Sequence, residues 1–145
     1  DWTIIAITRC PYEQALSRIK HSANKQVVQE RSIESLNSNS ILFQQAKERF
    51  IEKASQQTIR TNIDLYKDGK KNLRPTFYLR YERLNLDYEI LMHKLGQTTF
   101  EPLTHLKKTS TTTRTTPQVL FNRDEIKVIN HCFAEEFEQF SYTQL

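Results

Sequence analysis

The feature that most constrains the fold is a short apolar run near the start of the chain, at residues 2–7, followed at once by a turn and a helical pattern. β-Branched residues dominate the run, which suits a strand covered on both faces. Pro11 fits the first turn of a helix, because the N–H that proline lacks has no partner there. The sequence therefore predicts a strand, a tight turn and a helix, with Arg9 in the turn.

The helix that follows has two different sides. Its apolar residues recur at intervals typical of a core-facing stripe, namely Leu16, Ile19, Ala23 and Val27. The opposite side is polar and basic, with Ser17, Lys20, His21 and Asn24. We therefore expect an amphipathic helix whose exposed side carries positive charge.

Arg9 is a candidate anion-binding residue, because it lies at the carboxyl end of the predicted strand. Ligands of open α/β sheets gather at that end, where helix N-termini offer N–H groups. A guanidinium can bind a phosphate with two hydrogen bonds, and the Ser17 hydroxyl could add a third donor. The alternative is that Arg9 pairs with a surface carboxylate and that Ser17 is an ordinary helix residue.

Composition limits the possible sites. The chain has 145 residues, a mass of 17.2 kDa and a net charge of +4, which favours one domain and an anionic partner. Its only glycines are Gly69 and Gly96, so no glycine-rich phosphate loop is present. Cys10 and Cys132 form no metal-binding spacing, and two such cysteines are compatible with a reducing cytoplasm. No apolar run approaches the roughly 20 residues of a membrane span.

A second strand and helix are predicted further along the chain. Residues 76–81 form the strand, and a helix from Asn85 ends at Gly96. Glu82 follows the strand, where it could orient Arg9 or Arg80; the alternative is that it only caps the next helix.

Two further regions read as helical. Between residues 29 and 74, the pattern predicts one long helix or two joined near residues 55–57, closed by Asp68-Gly69. This stretch could contact a partner or cover an acceptor site, or it could be a solvated structural helix. The last helix begins with Asn122 as N-cap and Glu125 three residues later, and it carries one apolar stripe of Ile126, Ile129, Phe133, Phe137 and Phe140.

Four segments resemble sulfotransferases in the order in which that family has them. The Arg9, Pro11 and Ser17 spacing resembles the element that binds the nucleotide 3′-phosphate. Residues 79–96 are similar to the family's Arg-Tyr-Glu-Asp-Leu segment, with Arg83 in place of the acidic residue. Residues 105–110 resemble a loop that folds over the nucleotide, without its asparagine, and residues 126–142 resemble the closing motif.

The resemblance implies an α/β protein with the P-loop-like three-layer sulfotransferase fold. Residues 1–145 would be a single domain, a helix-rich C-terminal portion with few parallel strands, without the N-terminal unit that binds the 5′-phosphosulfate. The implied donor is 3′-phosphoadenylyl sulfate and the product 3′,5′-adenosine bisphosphate, with no metal. Arg9 and Ser17 would bind the 3′-phosphate, and Lys107 and Lys108 would close over the nucleotide.

The resemblance leaves the acceptor and the general base open. The acceptor could be a carbohydrate, a protein or a small molecule. The family's base lies upstream of Arg9, so His21 is a poor candidate and the catalytic residue is unassigned.

Two alternatives remain at this point. The chain could be a non-catalytic binding or assembly module that keeps the fold. It could also be a basic helical domain that binds nucleic acid, although Phe133, Phe137 and Phe140 lie on a core stripe instead of beside lysines. The segment at residues 105–116 is predicted to be a mobile loop, with a solvated threonine-rich linker as the alternative.

Overall fold

A computed structural model describes residues 3–30, 40–103 and 117–145 of the chain. These residues combine helices with a small parallel sheet, which places the protein in the general α/β class. They divide into two compact units. The first contains residues 3–10 and 62–103, and the second contains residues 11–30, 40–61 and 117–145. The single domain predicted from the sequence stays a prediction.

The first unit is built on two parallel strands, β1 (Ile5–Thr8) and β2 (Phe77–Arg80). Their register pairs Ile5 with Phe77 and Thr8 with Arg80. The unit also contains α3 (Asn62–Tyr66), a 3-10 turn (Tyr81–Arg83) and α4 (Leu84–Lys94). The predicted second strand and its helix are therefore confirmed, with the helix beginning one residue earlier than expected.

The prediction that the first strand is covered on both faces is wrong. Ala6 and Thr8 are buried, whereas Ile5 and Ile7 are 45% and 47% exposed. Alternate residues of a strand point to opposite faces. The described residues therefore cover one face of β1 and leave the isoleucine face largely open.

A tight turn joins α3 to β2. The Asp68 carboxylate accepts hydrogen bonds from the backbone N–H groups of Lys70 and Asn72, at 2.8 and 2.9 Å. The Asn72 N–H is the larger cause that lowers the pKa of Asp68 from its ordinary value of 3.8. The sequence signal at Asp68-Gly69 thus marks a turn that the aspartate itself stabilises.

The second unit packs helices around an apolar core. It contains α1 (Pro11–Glu30), α2 (Ile41–Ser55), α5 (Pro117–Leu120), α6 (Arg123–Cys132) and α7 (Ala134–Gln139). Pro11 is the first residue of α1, as predicted. The described core of this unit includes Tyr12, Ala15, Ile19, Ala23, Phe43, Ala46, Ala54, Ile129, Phe133 and Phe137.

Helix ends in this unit follow local sequence signals. The Ser40 hydroxyl accepts a hydrogen bond from the Phe43 N–H at 3.2 Å, which makes Ser40 the N-cap of α2. Asn122 and Glu125 form the predicted capping box at the start of α6. The chain between α2 and α3 breaks near Gln57, whose φ is 53°, so this region contains two helices and not one.

The last helix departs from its prediction, because it divides at Phe133 into α6 and α7. No glycine or proline lies at this position, so the sequence offered no local signal for the break. Phe133, Phe137 and Phe140 are nevertheless buried, as the stripe predicted.

Polar contacts join the helices of the second unit. The buried Glu136 carboxylate accepts a hydrogen bond from the Gln14 side chain, and the Tyr12 hydroxyl donates to Asn130 Oδ1. Lys47 Nζ lies 3.1 Å from Glu125 Oε1. Within the described residues, no helix is both long and apolar enough to cross a membrane.

Candidate functional site

The candidate site lies at the carboxyl end of the two-stranded sheet in the first unit. Because β1 and β2 run parallel and Thr8 pairs with Arg80, the next residues of the two strands, Arg9 and Tyr81, lie side by side. The Arg9 Cζ atom is 4.6 Å from the centroid of the Tyr81 ring. This distance is within the range of a cation–π contact, which orients the guanidinium.

Glu82 fixes the chain that carries Arg9. One of its carboxylate oxygens, Oε1, accepts a hydrogen bond of 2.5 Å from the backbone N–H of Cys10. The predicted role of Glu82 at this strand end therefore has a structural counterpart in its bond to the backbone beside Arg9. The hydroxyl of Tyr66 donates to the Ile7 carbonyl on the other side of the turn.

A buried aspartate supports the β2 side of the site. Asp87 is only 4% exposed. Its Oδ2 accepts from the Arg80 N–H at 2.7 Å, and its Oδ1 lies 2.8 Å from Arg83 Nε. The first turn of α4 is thereby attached to the last residue of β2, which sets where Tyr81 and Glu82 leave the strand.

The aromatic side of β2 is partly removed from water. The rings of Tyr78 and Tyr66 have centroids 6.1 Å apart. Burial raises the pKa of Tyr78 above its ordinary value of 10.0, so this phenol stays protonated at neutral pH. Tyr78 therefore adds no negative charge near the strand end that carries Arg9.

The other predicted site residues do not join Arg9 within the first unit. Ser17 belongs to the second unit, where it is exposed on the polar side of α1 together with Lys20 and His21. Lys107 and Lys108 lie outside the described residues, as does most of the predicted loop at residues 105–116. The sequence-based site is thus described in parts, with Arg9 as its best-defined member.

The sequence reasoning assigned no role to Tyr81. A signal for it was present, because two parallel strands followed by Arg9 and by Tyr81-Glu82 bring those residues together when the strands pair in this register. The register itself depends on long-range pairing and could not be inferred from either segment alone.

Two other site classes can be compared with the structure. No group of three or more histidine, cysteine or acidic side chains suited to a metal ion occurs in the part of the chain that is described. The aromatic residues Phe133, Phe137 and Phe140 are 1%, 3% and 6% exposed, so they offer no stacking platform for bases.

Comparison of the chain with protein-family models, with curated proteins and with solved structures gives no significant match in any of the three.

Proposed function

We propose that this chain binds the nucleotide of a sulfotransferase reaction, in which a sulfuryl group passes from 3′-phosphoadenylyl sulfate to an acceptor hydroxyl or amine. The finer fold belongs to the same proposal, namely the P-loop-like three-layer sulfotransferase architecture. The observation that carries the proposal is the position of Arg9. It extends from the carboxyl end of a parallel strand, next to Tyr81 and beside a backbone fixed by Glu82.

In this proposal Arg9 binds the nucleotide 3′-phosphate. A guanidinium presents paired N–H donors that match two phosphate oxygens, and the stacked Tyr81 ring limits the orientations that the side chain can sample. Ser17 supplies a hydroxyl donor to the same phosphate, and Lys107 and Lys108 supply positive charge over the nucleotide. A net charge of +4 favours such an anionic ligand.

The proposed chemistry is an in-line displacement at sulfur. The acceptor oxygen or nitrogen forms a bond to sulfur while the bond from sulfur to the phosphate oxygen breaks, and the acceptor's proton passes to a base that is not assigned. The leaving group is 3′,5′-adenosine bisphosphate. Residues that hold its 3′-phosphate contribute by positioning the donor, and cationic groups near the leaving phosphate stabilise its charge.

The test is calorimetric titration of the chain with 3′,5′-adenosine bisphosphate. We expect micromolar binding, weakened at least about tenfold by Arg9→Ala, because a charged hydrogen-bonding partner is lost. Arg9→Lys should give an intermediate affinity, since lysine keeps the charge but not the planar fork. Adenosine 5′-monophosphate, which lacks the 3′-phosphate, should bind wild type and Arg9→Ala equally weakly.

The matched control is Arg74→Ala, which removes an exposed arginine from the same unit. It should leave the affinity for 3′,5′-adenosine bisphosphate within about twofold. Absence of binding to the wild-type chain would overturn the proposal, as would equal affinities of wild type and Arg9→Ala. If the nucleotide binds but 3′-phosphoadenylyl sulfate is not turned over with any acceptor, a non-catalytic binding module replaces the enzyme.

A further inference from the structure

A second basic site lies in the other unit, in a pocket between α1 and α2. The pocket has a volume of about 270 Å³. It is lined by Arg18 and Ser22 of α1 and by Ala46, Arg49, Phe50 and Lys53 of α2. None of these residues belongs to the site proposed above.

The pocket brings together cations from two helices. Arg18 and Ser22 are four residues apart on α1, and Arg49 and Lys53 are four residues apart on α2, so each pair lies on one helix face. The pocket lining contains no carboxylate. Like charges at this spacing repel one another, and an anion between the helices would relieve that repulsion.

Neutral acceptors hold the two arginines in place without cancelling their charge. Arg18 Nη1 donates to the Arg60 carbonyl at 2.8 Å. Arg49 Nη2 donates to Gln26 Oε1 at 2.6 Å, and Arg49 Nε donates to the Gln45 carbonyl at 3.2 Å. The ion pairs found among the described residues involve none of Arg18, Arg49 and Lys53.

One side of the pocket is apolar. Phe50 and Ala46 are 8% and 2% exposed and form the wall contributed by the core-facing side of α2. Their position gives a ligand an apolar surface beside the guanidinium and ammonium groups. The volume lies just below the roughly 300–1,000 Å³ of typical small-molecule sites, so the pocket suits a small ligand.

We propose that this pocket binds a small ligand that carries a phosphate or sulfate ester group. Arg18, Arg49 and Lys53 neutralise the oxyanion, the Ser22 hydroxyl donates to one of its oxygens, and the organic part of the ester rests on Phe50. This binding function goes beyond the proposed sulfotransferase function, because it uses different residues in a different unit.

The test is an NMR titration with phenyl phosphate, phenyl sulfate and inorganic phosphate, at an ionic strength held constant with sodium chloride. We expect the largest shifts at the amides and side chains of Arg18, Ser22, Arg49 and Lys53. Both phenyl esters should bind more tightly than inorganic phosphate, because Phe50 adds apolar contact. A preference between the two phenyl esters tells which oxyanion the site selects.

Lys53→Gln is the diagnostic variant, and Lys127→Gln is its matched control on an exposed helix face of the same unit. Lys53→Gln should weaken binding of the phenyl esters by about three- to tenfold, and Lys127→Gln should leave it unchanged. The proposal fails if sodium chloride alone produces the same shifts, or if the two variants weaken binding equally. Arg9→Ala should not alter these shifts, so failure of this site and failure of the nucleotide site are distinguishable.

Discussion

At the scale of single residues, Asp87 shows how one buried carboxylate supports the candidate site. It is almost fully buried, and both of its oxygens have partners, the Arg80 N–H and the Arg83 guanidinium. A buried polar group of this kind is costly to remove, because its former partners lose their acceptor. The site residues Tyr81 and Glu82 lie between those two partners along the chain.

Replacement of Asp87 should therefore destabilise the protein. We expect Asp87→Ala to lower the free energy of unfolding by about 2–4 kcal/mol, measured by urea denaturation followed by circular dichroism. The control is Glu89→Ala on the same helix, an exposed carboxylate 3.9 Å from His93, which should change stability by less than about 0.5 kcal/mol. Equal effects of the two substitutions would contradict the supporting role of Asp87.

At the scale of secondary-structure elements, the two glycines have different roles. Gly96 follows α4 with a φ of +78°, a left-handed conformation that side chains rarely adopt. Gly69 lies in the turn beside Asp68, and its φ is outside that region. A Cβ atom added at either position would meet nothing within 4 Å, so the difference between them is one of backbone conformation alone.

The two alanine substitutions should consequently differ in sign or size. Gly96→Ala should lower stability by about 1 kcal/mol, because alanine is strained at a left-handed φ. Gly69→Ala should be neutral or stabilising by a few tenths of a kcal/mol, because it restricts the unfolded chain. Thermal unfolding of both variants measures the difference. Equal destabilisation would show that steric or turn-specific effects, and not φ, determine the outcome.

Elements with strong local signals were predictable from the sequence, and those set by tertiary contacts were not. Pro11, Gly96 and the Asn122 capping box fixed helix boundaries that the structure confirms. The break at Phe133 has no such signal. The basic pocket also escaped prediction, because its cations come from two helices that meet only when α1 and α2 pack together.

At the scale of the whole molecule, the two units differ in how their backbone is secured. The first depends on two strands of four residues each, and one face of β1 is largely open. A two-stranded sheet has marginal stability by itself. The second unit buries an extensive set of aromatic and aliphatic side chains between longer helices.

Native-state hydrogen exchange should reveal this difference. We expect the β1 and β2 amides, such as those of Ala6 and Leu79, to exchange faster than the core-facing amides of Ile19 and Ile129, because less buried apolar area protects them. The measurement is exchange followed by NMR, with amides of α4 as an internal reference for the first unit. Strand amides as slow as the slowest helix amides would contradict this expectation.

The pairing of β1 with β2 also has a consequence for the order of folding. The paired residues Ile5 and Phe77 are 72 positions apart, and α1, α2 and α3 occupy the intervening chain. Contacts of such high sequence separation carry a large loop-closure entropy, whereas helices form from neighbouring residues. The candidate nucleotide site at the sheet edge is therefore expected to form late on the folding pathway, after the helices that separate its two strands.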